Sequence, residues 1–102
     1  MITKPHLEIP DEVIQNFCRK WKIKELALFG SVLRGDFRPD SDVDVLATFA
    51  ADAKWSVFDH ARMREELSTL LGRQADVTES AGLSNPFRRH EILATRKVIY
   101  AA

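Results

Sequence analysis

The chain lacks most of the features that would assign it quickly to a class. It has one cysteine, Cys18, in 102 residues, so no internal disulfide can form and a reducing compartment is expected. It has no excess charge: fifteen Lys and Arg face fifteen Asp and Glu, which argues against a protein that holds nucleic acid by bulk charge. No apolar run approaches the roughly 20 residues of a membrane helix. The opening "MITKPHLEIPDE" has no long apolar centre of the signal-peptide kind. His6, His60 and His90 show no metal-ligand spacing. There is no internal repeat and no low-complexity segment. These absences point to a cytoplasmic protein with no membrane association and no direct nucleic-acid binding.

What is present suffices for one compact core. Hydrophobic residues make up 45% of the chain, and its length predicts a single domain over residues 1–102. "IPDEVIQNFCRKW" predicts a helix, with Pro10 in a first-turn position, Asp11 and Glu12 at the positive end, and an apolar stripe of Val13, Ile14, Phe17, Cys18 and Trp21. Cys18 reads as core, since no neighbouring motif would activate it. "ELALFG" reads as a short strand, "SVLRG" as a helical turn capped by Ser31, "FRPDS" as a turn, and "DVDVLATF" as a strand entering the core. "SVFDHARMREELSTLLG" predicts a second helix. Ser56 and Asp59 form its capping box, Met63, Leu67, Leu70 and Leu71 its stripe, and Gly72 its stop. "QADVTE" is a third strand, "SNPFRRHEILATRK" a helix capped by Asn85, and "VIY" a last short strand. Trp55 reads either as a hydrophobic staple or as an exposed docking residue. The expected fold class is α/β (α+β), a small mixed sheet with helices packed on it.

The chemistry concentrates in "FGSVLRGDFRPDSDVDVL", Phe29 to Leu46. It is no P-loop, because Gly35 is followed by Asp36 and Phe37 rather than Lys and Ser or Thr. It is no EF-hand, because Val45 and Ala51 stand where that loop needs Gly and Glu. Asp36 and Asp40 suit a solvated loop. Asp42 and Asp44 do not, since they alternate with Val43 and Val45 at the mouth of a buried strand. Residues two apart on a strand share a face, so these two carboxylates repel unless a cation lies between them. Hard oxygen ligands suit Mg²⁺ or Mn²⁺, and Mg²⁺ takes much of its remaining coordination from substrate phosphates. A Gly30-Ser31 turn opposite would hold those phosphates, provided the strand ending at Gly30 is the antiparallel neighbour of the strand bearing Asp42 and Asp44.

Gly-Ser, ten residues, then Asp-Val-Asp resembles the signature of the nucleotidyltransferase superfamily that includes polymerase β. The longer string "LFGSVLRGDFRPDSDVDVL", with "LSTLLGRQADV" and "NPFRRHEIL", is similar to its smallest branch, the minimal nucleotidyltransferases. That resemblance implies a polymerase β palm-like fold. It implies that Gly30 and Ser31 bind a nucleotide triphosphate and that Asp42 and Asp44 ligate Mg²⁺. It also implies a third carboxylate on a later strand, matched by Asp76, with Glu79 as the rival. Arg34 is a candidate phosphate ligand; Arg38 reads as an ion-pair partner of the aspartates, and Arg88 and Arg89 as solvent-exposed or as contacts to nucleotide or partner.

Minimal nucleotidyltransferases are typically encoded beside a helical HEPN-family toxin and act as its antitoxin, transferring AMP from ATP to a toxin tyrosine. The resemblance therefore implies a Mg²⁺-dependent protein adenylyltransferase with a HEPN partner. The alternatives are an antitoxin that neutralises by binding alone, disfavoured by the intact acidic set, and a transferase acting on a small molecule, disfavoured by the lack of residues for an acceptor domain.

Overall fold

In the computed structural model the described residues are 2–4, 7–33 and 42–102. The first two elements are short antiparallel strands, β1 (Ile2–Lys4) and β2 (Leu7–Ile9), which form a sheet of their own. The sequence reading missed this hairpin, because two three-residue strands are too short to show an alternation.

Helix α1 (Asp11–Lys20) follows, with Pro10 at its N-cap position rather than inside its first turn. Asp11 and Glu12 lie at the positive end of the helix dipole and Arg19 and Lys20 at the negative end. Ile14, Phe17, Cys18 and Trp21 are buried as the spacing predicts. Strand β3 (Ile23–Phe29) starts two residues earlier than "ELALFG" and runs into a single 3₁₀ turn, Gly30–Leu33. Strand β4 is Val43–Phe49.

Helix α2 (Val57–Leu71) has the full capping box: the Ser56 hydroxyl accepts from the Asp59 N–H, and the Asp59 carboxylate accepts from the Ser56 N–H. These hydrogen bonds hold the Asp59 carboxyl below the usual carboxylate range. Gly72 ends the helix in the left-handed conformation. Leu70 corrects the predicted stripe. It is exposed, and the buried positions are Met63, Leu67 and Leu71, four apart along one line. Trp55 is half-buried against the core rather than an exposed docking residue. Its ring packs edge-on against Trp21 at 5.2 Å and its Nε1 donates to the Trp21 carbonyl at 2.9 Å.

Strand β5 (Ala75–Glu79), helix α3 (Pro86–Thr95) and strand β6 (Lys97–Ala101) complete the chain. Asn85 caps α3 through the N–H groups of Phe87 and Arg88, with Pro86 in the first turn as predicted.

The main sheet has the order β5-β4-β3-β6. β3 is antiparallel to both β4 and β6, whereas β4 and β5 are parallel, so the sheet is mixed. A parallel pair needs a crossover, and α2 supplies it. One face of the sheet (Leu26, Leu28, Val43, Val45, Ala47 and Ala75) packs with Ile14, Phe17, Met63 and Leu67 of α1 and α2. The opposite face gathers a smaller cluster of Ala27, Phe29, Leu46 and Ile92 under α3. The expected α+β class and mixed sheet are both present. No helix among the described residues is long and apolar enough to cross a membrane.

Burial pushes the Cys18 thiol up to about 12, well above the ordinary thiol range. The raised value means that folding favours the protonated thiol. That contribution is complete below about pH 9 and is lost as pH rises towards 12. Native protein at pH 8 should therefore react with a disulfide reagent at least about 100-fold more slowly than urea-unfolded protein. Absorbance of the released thiol measures this; immediate stoichiometric release from native protein would contradict the assignment of Cys18 to the core.

Candidate functional site

The site is built where β3 ends and β4 begins. Antiparallel pairing sets Phe29 opposite Asp44, so the Gly30 turn stands beside the first carboxylate of β4. Strand alternation then sorts the side chains. Val43, Val45 and Ala47 go to the α1/α2 face, leaving Asp44, Leu46 and Thr48 on the α3 face with Phe29. Asp44 is half-buried. Asp42 is exposed, one residue ahead of the strand, where the same alternation carries it toward the Asp44 side.

Parallel pairing of β4 with β5 sets Asp44 directly beside Asp76. Register partners in a sheet project to the same face, so the two carboxylates stand together on neighbouring strands. Glu79 is three residues further along β5, at odd spacing, and belongs to the opposite face with Ala75 and Val77. Of the two candidates for a third carboxylate, only Asp76 shares a face with Asp44.

Gly30 is required here twice over. Its φ of +76° is one that L side chains rarely adopt. A Cβ added to it would run into the Asp44 carboxylate, overlapping Oδ2 and lying 3.2 Å from Cγ. The bare backbone lets the Asp44 oxygens stand against the turn.

Hard carboxylate oxygens on one face, with a glycine cradle alongside, fit a divalent cation of the Mg²⁺ type. Among the described residues no three His, Cys, Asp or Glu side chains are gathered tightly enough to cage an ion. The main chain of Ser31 lies in the 3₁₀ turn, as expected. Arg34 lies outside the described residues, as do Asp36, Arg38 and Asp40 with their turn, and His6.

The remaining predicted polar residues disperse. Arg89 is tied down, its Nη1 donating to the Ser80 carbonyl at 3.3 Å. His60 packs edge-on against Phe49 at 5.8 Å, and His90 is exposed. Arg88 is different. With Phe29, Gly30, Leu33, Glu91, Ile92 and Thr95 it lines a cavity of about 470 Å³ beside the Gly30 turn. The sequence reading passed over Glu91 and Thr95. Their only signal is helical spacing with Arg88 (positions 88, 91 and 95), which identifies one face of a helix but not what that face covers.

This architecture and this acidic corner are those of a nucleotidyl-transferring enzyme. The nucleotidyltransferase domain profile matches residues 10–99, and the chain belongs to that family, in its minimal branch. It is similar to the protein adenylyltransferase MntA of Thermococcus cleftensis, 30% identical over 81 residues, which cover 79% of this chain and 77% of MntA. A candidate minimal nucleotidyltransferase of known structure superposes with a TM-score of 0.68 at 33% identity, over 88% of this chain and 87% of that one. A toxin–antitoxin structure containing AMP-PNP superposes with a TM-score of 0.72 over 92% of this chain and 75% of that one; at 20% identity it attests the fold alone.

Two glycines allow the role of the cradle to be isolated. Gly30 and Gly72 have similar positive φ, +76° and +69°, but a Cβ at Gly72 would meet nothing within 4 Å. Alanine at either position should carry a similar backbone cost of about 1–2 kcal/mol. Only Gly30→Ala should displace Asp44. Mn²⁺ titration should show an affinity reduced at least about tenfold in Gly30→Ala and little changed in Gly72→Ala; equal effects would contradict the contact with Asp44.

Proposed function

We propose that this chain is a Mg²⁺-dependent protein adenylyltransferase that moves AMP from ATP to a tyrosine of a helical HEPN-type toxin, and so acts as an antitoxin. The observation that carries this reading is the pairing of Asp44 with Asp76 at one register position, beside a glycine turn that Asp44 abuts. Similarity to the Thermococcus protein adenylyltransferase supports AMP transfer to protein. The adenine nucleotide and the toxin partner are this proposal's own step; the toxin–antitoxin structure containing AMP-PNP contributes to it only the shared fold.

In this reading Asp42, Asp44 and Asp76 hold the metal. A divalent ion held there would lower the pKa of an attacking hydroxyl and offset charge on the leaving pyrophosphate. The chain's own residues position the reactants. Gly30 and Ser31 receive the triphosphate on their main-chain N–H groups, because the missing Cβ at 30 lets the phosphates approach the backbone. Arg34 is assigned to the same phosphates. Asp76 lies on the edge strand β5, and its carboxylate is assigned the proton of the incoming hydroxyl. The hydroxyl oxygen bonds to the α-phosphorus as the bond to the β-phosphate oxygen breaks, so AMP is transferred and pyrophosphate leaves in line.

Intact mass spectrometry tests the reaction. The helical protein encoded beside this chain, incubated with it, Mg²⁺ and ATP, should gain one or more AMP units. Asp42→Asn/Asp44→Asn should abolish the gain without abolishing the complex. A stable complex with no mass gain for the unaltered chain would overturn the catalytic reading in favour of inhibition by docking.

A further inference from the structure

We infer that the cavity beside Gly30 receives the β- and γ-phosphates of the nucleotide and that Arg88, on α3, is a side chain that binds them. This rests on the nucleotide-transfer reading above and adds to it a residue, from a separate element, that holds the leaving pyrophosphate.

The cavity, of about 470 Å³, falls in the size range of small-ligand sites. Among the described residues Arg88 is the only cation in its lining. The Arg88 guanidinium is also unengaged. Among the described residues no hydrogen bond or ion pair holds it, whereas Arg89 donates to the Ser80 carbonyl and Arg96 pairs with Glu25. Glu91, three residues on and in the same lining, does not hold it either. The cation precedes the anion there, which is the less favourable order for a helical pair. The charge also stands where the backbone opposes it. α3 begins at Pro86, so Arg88 lies in the first turn, at the positive end of the helix dipole. A cation kept unpaired at a disfavoured position, in the lining of a cavity, calls for an anion from outside the chain.

Position identifies the anion. Across this end of the sheet, on the α3 face, Asp76 on β5 is followed by Asp44 on β4 and then by Phe29 and the Gly30 turn, against which the cavity lies. The nucleotide-transfer reading assigns the incoming hydroxyl to Asp76 and the triphosphate to the Gly30–Ser31 turn. In-line displacement sets the leaving group opposite the entering one, so pyrophosphate departs over Gly30, towards Arg88. As the acceptor oxygen bonds to the α-phosphorus, the bridging oxygen takes the electron pair of the breaking bond, and the negative charge stays on pyrophosphate. Arg88 keeps its proton and offers that charge a fork of N–H donors that matches phosphate oxygens. Glu91 limits the attraction. Among the described residues the lining carries one cation and one anion, so it favours pyrophosphate whose charge a divalent ion already offsets over the free anion.

Titration calorimetry with Mg²⁺ present tests this on the full chain, with ATP, AMP and inorganic pyrophosphate as probes. Arg88→Ala should bind ATP and pyrophosphate about 10- to 100-fold more weakly than wild type, as expected for losing hydrogen bonds between charged groups, and AMP within about twofold. Arg88→Lys, which keeps the charge but loses the fork, should recover part of the loss. Glu91→Gln should move the other way and bind pyrophosphate about two- to fivefold more tightly. Without nucleotide, the thermal midpoint of Arg88→Ala should be no lower than that of wild type, because the start of α3 loses an unfavourable charge. Pyrophosphate binding unchanged in Arg88→Ala, an AMP loss as large as the ATP loss, or a lowered midpoint would overturn the assignment of Arg88 and leave the transferase reading standing. Failure of wild type to bind ATP at all would overturn both.

Discussion

The hydrogen-bonded register between β3 and β4 sets Phe29 opposite Asp44, and nearly every feature of the candidate site depends on it. A slip of one residue would turn Asp44 into the α1/α2 core and Val45 out of it, at the cost of an unpaired buried charge and a lost apolar contact. The core thus enforces the register: Val43, Val45 and Ala47, all essentially without exposed surface, can fit the α1/α2 face in only one alignment. Gly30 lies where that alignment forces a close approach. The positive φ and the nearness of the Asp44 carboxylate are two consequences of one geometry.

The parallel pairing of β4 and β5 extends the constraint to a third carboxylate. It places Asp76 level with Asp44, and the α2 crossover makes that pairing possible. α2 is itself anchored at both ends, by the Ser56–Asp59 capping box and by the left-handed Gly72, so the length of the crossover is fixed. α3 covers the same sheet face lightly, with Ile92 its only buried residue, and leaves its polar side over the cavity next to Gly30. The two faces divide the work: stability concentrates under α1 and α2, and the polar chemistry gathers under α3.

Much of this was legible in the sequence because it is local. Helix stripes, the capping box, Gly72 and the Asn85-Pro86 start of α3 each announce themselves within a few residues. The Asp-Val-Asp-Val alternation gave both a strand and a shared face, and the Gly-Ser signature supplied the demand that β3 and β4 be antiparallel. What escaped was either too short or set at long range. The β1–β2 hairpin has three residues per strand. Leu70 fits the helical period but falls just outside the width of the buried stripe. Asp76 is preferred to Glu79 only by its resemblance to the family pattern until the strand that bears them is bounded and its register known. Glu91 carries no motif, and only the packing of α3 over Phe29 and Leu33 brings it beside Gly30.

The account's central claim is that strand register, rather than acidity alone, selects the carboxylates of the site. Mn²⁺ affinity in the presence of ATP, compared across wild type, Asp76→Asn and Glu79→Gln, tests it most directly. Both substitutions remove one negative charge, on opposite faces of the same strand. The account predicts a loss of at least about tenfold for Asp76→Asn and a change within about twofold for Glu79→Gln, because only the first shares a face with Asp44. Equal losses, or a loss confined to Glu79→Gln, would contradict it.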